Sequence, residues 1–159
     1  MIVKSLSAIF IFLLTLSFNA ASREAVPVIE HINIPVQTGS GQPVTLEQVR
    51  NAISLAAAAN QWEISKSENS NLISAKLLVR GKHTVVVSIP YSTEQFSIKY
   101  QSSINMKYEI AEGSPTTFPG TFGHSSSKQV PEGTAVIHPF YNKWVGILLS
   151  SIQAELRKL

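Results

Sequence analysis

The chain has 159 residues, which is enough for one domain of ordinary size and leaves little room for a second. Hydrophobic residues make up 44% of it and charged residues 14%, a balance typical of a protein with a buried core and not of disordered or collagen-like chains. The formal charge is +3 without any run of like charge, so composition gives little reason to expect a nucleic-acid or membrane partner.

Two residue types are absent from the sequence, and their absence excludes several chemistries. Without cysteine there is no disulfide, no thiolate metal site, no thiol nucleophile and no lipid-modified N-terminal cysteine. All ten acidic residues are glutamates, so no aspartate is available to orient a catalytic histidine or to build an EF-hand loop. Any carboxylate chemistry would have to use glutamate.

The first 22 residues predict a secretion signal. Lys4 supplies a positive charge, and the apolar residues 6–18 have the length of a signal-peptide core but are too short for an ordinary membrane span. Small residues at Ala20 and Ser22 favour cleavage after Ser22, so the mature chain is expected to start near Arg23. The alternative is an uncleaved N-terminal anchor. Export without cysteine favours the bacterial periplasm, or secretion, as the location.

Residues 28–36 are the first part of the mature chain with a regular pattern. Their apolar side chains alternate, and Pro35 lacks the amide hydrogen that a central strand needs. This pattern predicts a short strand at the edge of a sheet, with one side formed by Ile32, Ile34 and Val36.

Two segments with apolar residues at helical spacing predict the helices. Thr45, followed three residues later by Gln48, is a capping-box pattern and predicts a helix over about 45–60. A second helix is predicted from about Pro139 to the end of the chain. Trp144 falls at its packed spacing and is expected to be a principal core residue.

Between residues 62 and 108 apolar and polar residues alternate, which predicts an antiparallel sheet with one buried face and one face exposed to water. Paired residues of antiparallel strands point to the same face, so the turn lengths test the pattern. An odd turn at 79–81, with glycine third, fits a type I turn with a G1 bulge, and the turn at 92–95 is even. The predicted pairs are Leu77 with Val85, Ile89 with Ile98, and Tyr91 with Phe96.

Residues 109–135 lack periodicity and are rich in Gly, Pro, Ser and Thr, which predicts a long flexible loop. Together these elements predict a single α+β domain over residues 23–159. It is a two-layer sandwich in which an antiparallel meander of three to five strands carries the N-terminal and C-terminal helices on one face.

A succession of residues spread over about 100 positions also carries a resemblance. Its members are Trp62, Ile73 to Ala75, Arg80, His83, Val85 to Ile89, Tyr91, Phe96 to Ile98, Tyr100, Ser103, Tyr108 and Ile137 to Val145. This succession resembles a family of small uncharacterised Gram-negative envelope proteins, many of them lipoproteins. The resemblance implies an exported protein with the order helix, antiparallel sheet, helix, and it implies no catalytic residue. The missing lipoprotein cysteine and the long loop at 109–135 depart from the family.

Histidines are the candidates for chemistry. His138 lies in the densest polar cluster, with Tyr141, Asn142 and Trp144, at the junction of loop and helix. It can act as acid, base or ligand there, but its position also suits capping of the helix start, and Asn142 can bond nearby backbone. His83 is at the end of a hairpin, where a partly exposed histidine is ordinary.

Other catalytic and metal patterns are missing. The four histidines have no HxH, HxxxH or helical His-Glu spacing, and the chain has no GxSxG, SxxK or GxxxxGK[ST] motif. The sequence therefore favours a protein that is not an enzyme and gives no reason to expect a metal or other cofactor. A small periplasmic hydrolase using His83 or His138 is the alternative.

The polar face of the predicted sheet is the candidate binding surface. Its hydroxyls, among them those of Ser97 and Ser103, and its basic groups suit an anionic glycan, a lipid headgroup or an envelope protein. A plain solvated face is the alternative. Nucleic acid is not expected, because the strand aromatics point inward and export separates the protein from it. No membrane span is expected after cleavage, and no oligomeric state is indicated. The binding residues predicted on this face are Lys76, Arg80, Thr84 and Lys99.

Overall fold

The computed structural model describes residues 23–66, 71–112 and 130–159. The predicted signal peptide, and residues 113–129 of the predicted loop, lie outside the described residues. No helix within the described ranges is long and apolar enough to cross a membrane. The elements are β1 (Val26–Pro27), β2 (His31–Pro35), α1 (Leu46–Ala59), β3 (Trp62–Lys66), β4 (Leu72–Val79), β5 (His83–Pro90), β6 (Gln95–Ile104), β7 (Glu109–Ile110), β8 (Ala135–Ile137) and α2 (Phe140–Leu156).

Five strands form one antiparallel sheet in the order β2-β6-β5-β4-β3. One hydrophobic cluster joins its inward side chains to the buried faces of both helices, so α1 and α2 cover the same face of the sheet. The predicted α+β two-layer sandwich is confirmed. β2 lies at one edge of the sheet, as Pro35 predicts.

The capping box predicted for α1 is present. The Thr45 hydroxyl accepts the Gln48 amide hydrogen at 3.2 Å, and the Gln48 side chain accepts the Thr45 amide hydrogen at 2.8 Å. At the other end of α1, the Asn60 side-chain amide donates to the Ala56 carbonyl and to the Ser151 hydroxyl of α2. These bonds fix the end of one helix against the other.

Two of the three predicted pairs are confirmed, and the register between β5 and β6 is followed as far as Ser88 with Lys99, next to the third predicted pair; the first turn differs in type. Leu77 pairs with Val85, and the bridge between Tyr91 and Phe96 closes the second hairpin. The first turn, however, has positive φ at both Arg80 and Gly81, with a hydrogen bond from Lys82 N to Val79 O. Positive φ at both central residues belongs to a type I′ turn, whose twist matches that of the flanking strands, and not to the predicted type I turn.

Two β-bulges change which face of the five-stranded sheet several side chains lie on. In β2 one extra residue stands between His31 and Ile34, and Asn33 takes a φ of 53°, so Ile32 is exposed and does not share a side with Ile34. The Asn33 amide then donates to the Ser97 hydroxyl at 2.9 Å, which buries a serine predicted to face water.

The bulge in β6 falls at Gln101, because Val86 pairs with Ser102 while Val87 pairs with Tyr100. The extra residue brings Ser103 opposite Val85, on the buried side, where its hydroxyl is 3.0 Å from the Tyr100 hydroxyl. Ser103 therefore does not belong to the exposed face either.

A second sheet, which the sequence did not predict, has the order β1-β8-β7. Its strands β7 and β8 lie at the two ends of the predicted loop at 109–135, so ordered pairing extends into both ends of that segment. Asn142 of α2 hydrogen-bonds the end of β1 and the residues after it: its side-chain nitrogen donates to Pro27 O, and its side-chain oxygen accepts from Ile29 N. This sheet brings the start of α2 beside the β4–β5 turn.

Candidate functional site

A pocket of about 270 Å³ opens between the β4–β5 turn and the first turns of α2. Four separate parts of the chain form it: the turn, the start of β5, the connection after β6, and the start of α2. Its walls combine basic, imidazole, aromatic and aliphatic side chains. The lining residues are Val79, Arg80, His83, Met106, His138, Phe140 and Trp144.

The connection after β6 has an unusual backbone that hydrogen bonds hold in place. Asn105 and Lys107 both have positive φ, of 58° and 51°, on either side of the buried Met106. The Asn105 side chain donates to Lys82 O at 2.7 Å, and His138 N donates to Met106 O at 2.8 Å. Backbone strain of this kind is held by its surroundings and is often found at functional sites.

His83 reaches this connection through one ring nitrogen. Its Nδ1 lies 2.9 Å from Asn105 O, and a carbonyl oxygen can only accept. Nδ1 therefore carries the hydrogen of the neutral ring. The other nitrogen, Nε2, is left with a lone pair, which makes it a hydrogen-bond acceptor and a potential base.

His138 has the opposite arrangement. Its Nδ1 accepts the Phe140 amide hydrogen at 3.2 Å, so this nitrogen is unprotonated and the hydrogen of the neutral ring is on Nε2. The bond satisfies an amide in the first turn of α2, although the N-cap residue itself is Pro139 and makes no side-chain cap bond, so His138 acts from one residue before the cap. The pocket thus contains one imidazole with an acceptor Nε2 and one with a donor Nε2.

Aromatic rings form the wall on the side of α2. The rings of Phe140 and Trp144 stack at a centroid distance of 5.7 Å, and the His138 ring lies 5.1 Å from that of Phe140. Trp144 is half-buried and packs against the border of the hydrophobic core, so the prediction that it is a principal core residue is met only in part; Tyr141 is fully buried. The buried stripe of α2 runs through Tyr141 and Val145, which leaves Trp144 at its border.

The electrostatic environment of the pocket is basic. Burial lowers the pKa of His138 below its usual 6.5, and Lys107, Arg23 and His83 lower it further by charge repulsion. The Arg23 guanidinium also lies 4.5 Å from the centre of the Phe140 ring, and the Lys107 ammonium donates to Arg23 O at 3.1 Å. Several cationic groups therefore surround the two histidines.

The lining set is poor in catalytic groups. None of its members is a carboxylate, a serine or a threonine, so neither histidine has a carboxylate within the pocket wall to orient it. Across the described ranges, no group of three or more His, Cys, Asp or Glu side chains is placed to hold a metal ion.

The residues predicted as a binding set on the sheet lie on three neighbouring strands and at the β4–β5 turn. Lys76 lies 3.4 Å from Glu63 on the neighbouring strand, as an exposed ion pair. Lys99 pairs with Ser88 in β5, whereas Thr84 lies between Leu78 and Ile104, two exposed apolar side chains. Arg80 leaves the sheet at the turn and lines the pocket.

Sequence reasoning named the two histidines and Arg80 but did not bring them together, and it missed three contributors. Met106 lies in a connection whose sequence shows no periodicity, and the sequence indicates Phe140 only as part of the start of the second helix. Arg23 was expected as the first residue of the mature chain but not beside Phe140. Only the spacing of Phe140 and Trp144, one helical turn apart, could have indicated a shared aromatic wall.

A scan against protein-family models found no match to this chain, and searches of curated proteins and of solved structures found no similar protein. The resemblance to envelope proteins thus stays a prediction, and the functional argument rests on the pocket itself.

Proposed function

We propose that the protein is an exported, non-catalytic binding module and that the pocket between the β4–β5 turn and α2 is its ligand site. The observation that carries this proposal is the convergence of His83, His138 and Arg80 with an aromatic wall in one pocket. Ligand sites commonly combine apolar walls with a few polar groups that fix orientation. The pocket, at about 270 Å³, lies just below the range of about 300–1,000 Å³ that is usual for sites of drug-sized ligands, so its size suits a smaller ligand.

Binding is favoured over catalysis because the site can orient a ligand, whereas its lining offers no nucleophile other than the two imidazoles. Both histidines use Nδ1 for structural hydrogen bonds, and only their Nε2 atoms are left to contact a ligand. No side chain of the lining set can form a covalent intermediate with an acyl or phosphoryl group except the imidazoles themselves.

Export belongs to the same proposal and rests on residues 1–22, with their charge, apolar core and small residues before Arg23. A location in the bacterial envelope would give the pocket access to small molecules of the periplasm or outside the cell. Mass spectrometry of the protein from a periplasmic extract should find a chain that starts near Arg23. An intact Met1 in the membrane fraction would support the anchor instead.

A fragment screen tests the ligand site directly. The chain has two tryptophans, and each gives one indole N–H signal in an NMR spectrum. Trp144 lines the pocket and reports binding there, whereas the buried Trp62 serves as an internal reference. Fragments that bind in the pocket should shift the Trp144 signal, assigned with Trp144→Phe, and leave the Trp62 signal in place. Saturable binding with a Kd in the micromolar to millimolar range is expected for small ligands.

Two variants locate the site. Val79→Phe places a larger ring in the pocket without adding an indole signal and should abolish fragment binding, whereas Lys99→Glu changes the exposed sheet face and should not. Loss of binding in Lys99→Glu with normal binding in Val79→Phe would move the site to the sheet, where an envelope protein or an anionic glycan or lipid headgroup would be the ligand. If no fragment binds to the pocket, the proposal is wrong.

The second candidate is a small hydrolase, and one observation favours it: the two histidines of the pocket have opposite Nε2 roles. His83 Nε2 can take a proton from water as a general base, while the neutral His138 Nε2–H keeps its proton and donates a hydrogen bond to the oxygen that gains negative charge. Turnover of p-nitrophenyl acetate or bis(p-nitrophenyl) phosphate that falls at least 100-fold in both His83→Gln and His138→Gln would support it. Absence of turnover, or turnover unchanged in both variants, would exclude it for these substrate classes.

A further inference from the structure

We infer that the ligand of this pocket carries an oxyanion, a carboxylate or a phosphate, on a small flat apolar body. This inference rests on the proposed function, because it names the class of ligand for the same site. It predicts which end of the ligand each wall contacts, with Arg80 and His138 at the oxyanion and Phe140 and Trp144 at the apolar body.

The charges around the pocket support an anionic ligand. Among the residues that the structure describes, its lining includes Arg80 and no carboxylate, while Arg23 and Lys107 act electrostatically on His138 from beside it. A partly apolar pocket with charges of one sign attracts and concentrates ligands of the opposite sign. A cationic ligand would meet uncompensated repulsion there.

Arg80 is the group best placed to hold the oxyanion. Within the described residues, it makes no side-chain hydrogen bond and no ion pair, although it lines the pocket. The positive φ of Arg80 and the hydrogen bond from Lys82 N to Val79 O fix the turn that carries it. A guanidinium presents two parallel N–H donors that match the oxygens of a carboxylate or a phosphate.

The imidazoles complete the polar end of the site. Because His138 Nδ1 accepts from Phe140 N, its Nε2–H is the donor left for a ligand oxygen. His83 offers an acceptor Nε2 when neutral, which suits a ligand hydroxyl or a water, and a further donor when protonated. Neither role conflicts with an oxyanion held by Arg80.

The apolar body follows from the opposite wall. The stacked rings of Phe140 and Trp144, with Met106 and Val79, present a surface that flat rings or short acyl chains can cover. A volume of about 270 Å³ accommodates a single ring with its oxyanion more readily than a long lipid chain.

The test uses three ring compounds that differ in one group: benzoate, phenyl phosphate and the neutral benzamide. They are titrated into the full chain, purified as the cell processes it, while the Trp144 indole signal is followed by NMR. At least one of the two oxyanions should bind tenfold or more tightly than benzamide. Their relative affinities show whether a carboxylate or a phosphate is the better fit.

Matched variants assign the effect. Arg80→Gln should weaken binding of the preferred oxyanion at least tenfold and leave benzamide unchanged, because only the charged donors are lost. Lys143→Gln removes one positive charge from an exposed position of α2 outside the pocket and should change neither affinity. An unchanged Trp62 signal shows that the variants remain folded.

The outcomes separate this inference from the proposed function. If benzamide binds at Trp144 as tightly as both oxyanions, or if Arg80→Gln has no effect, the oxyanion assignment is wrong while the pocket remains a ligand site. If none of the three compounds binds, the assignment is also wrong. The proposed function fails only when the wider fragment panel gives no binding at Trp144 either.

Discussion

Replacing Tyr141 with Phe should stabilise the protein, although most changes in a core destabilise it. Tyr141 is fully buried in α2, and its hydroxyl has no hydrogen-bond partner within the described residues. Burial also raises the pKa of this hydroxyl, with a smaller contribution from Glu30, so it is neutral and uncompensated in the core.

The size of the effect follows from the hydroxyl alone. A buried polar group without a partner costs about 1–3 kcal/mol, and its removal leaves a void of about one oxygen atom that forfeits a few weak contacts. Tyr141→Phe should therefore raise the free energy of unfolding by about 1 kcal/mol, or the Tm by about 2–4 °C for a chain of this size. The edge-to-face contact with the Tyr100 ring, at 5.7 Å, is retained.

Tyr100→Phe is the matched control, because it removes the same atom in the opposite situation. The Tyr100 hydroxyl is bonded to the Ser103 hydroxyl at 3.0 Å, so its loss should cost about 0.5–1.5 kcal/mol. Urea unfolding followed by far-UV circular dichroism measures both variants. A loss of 1 kcal/mol or more in Tyr141→Phe would refute the reasoning, since it would show that this hydroxyl is well bonded.

Three further predictions concern stability. The pKa of His138 is lower in the folded protein than its usual 6.5, so the unfolded state binds the proton better and the free energy of unfolding should fall as the pH drops below about 6.5 and through the folded-state pKa. Urea titrations at several pH values measure this decrease, which should be smaller in His138→Gln. Gly39→Ala should destabilise the protein because the added carbon would clash with Arg157 O. Gly146→Ala should stabilise it by up to about 1 kcal/mol, because the added carbon would meet no other atom and alanine is the better helix former. Thermal melts compare the two variants, and the opposite order of stability would contradict the packing described. Thr45→Ala should cost about 1 kcal/mol by loss of the capping box, while Thr45→Ser, measured beside it, should cost much less.

The fold could be predicted largely because its patterns are local. The capping box at Thr45 and the alternation through β4 and β5 fixed the elements, and the parity of the turns gave the pairs Leu77 with Val85 and Tyr91 with Phe96. These signals arise from periods of 2 and 3.6 residues, which a single chain displays without its neighbours.

Several errors in the fold come from the two bulges, because a bulge adds a residue to a strand without any signal in the sequence. Ile32 and Ser103 changed sides for this reason, and Ser97 was buried by the bulged β2. The two-residue strands β1 and β7 are too short to show any alternation, so the second sheet could not be predicted.

The candidate site was predictable only in part, because it is assembled from distant segments. The sequence singled out His83 and His138 but gave no reason to place them in one pocket. Their tautomers depend on Asn105 O and Phe140 N, which are backbone atoms whose positions only the folded chain defines. Arg80 was named for the sheet face, whereas the positive φ values of its turn carry it to the pocket.

The measurement that tests the central claim most directly is a map of amide shifts in the ¹⁵N-labelled protein during a titration with benzoate. If the pocket is the ligand site, the largest shifts should fall on Arg80, Met106 and Phe140, from three segments that are adjacent only at the pocket. Shifts centred on Lys76 and Lys99, or no saturable shifts with benzoate or with any other fragment of the panel, would contradict the assignment of the site to this pocket.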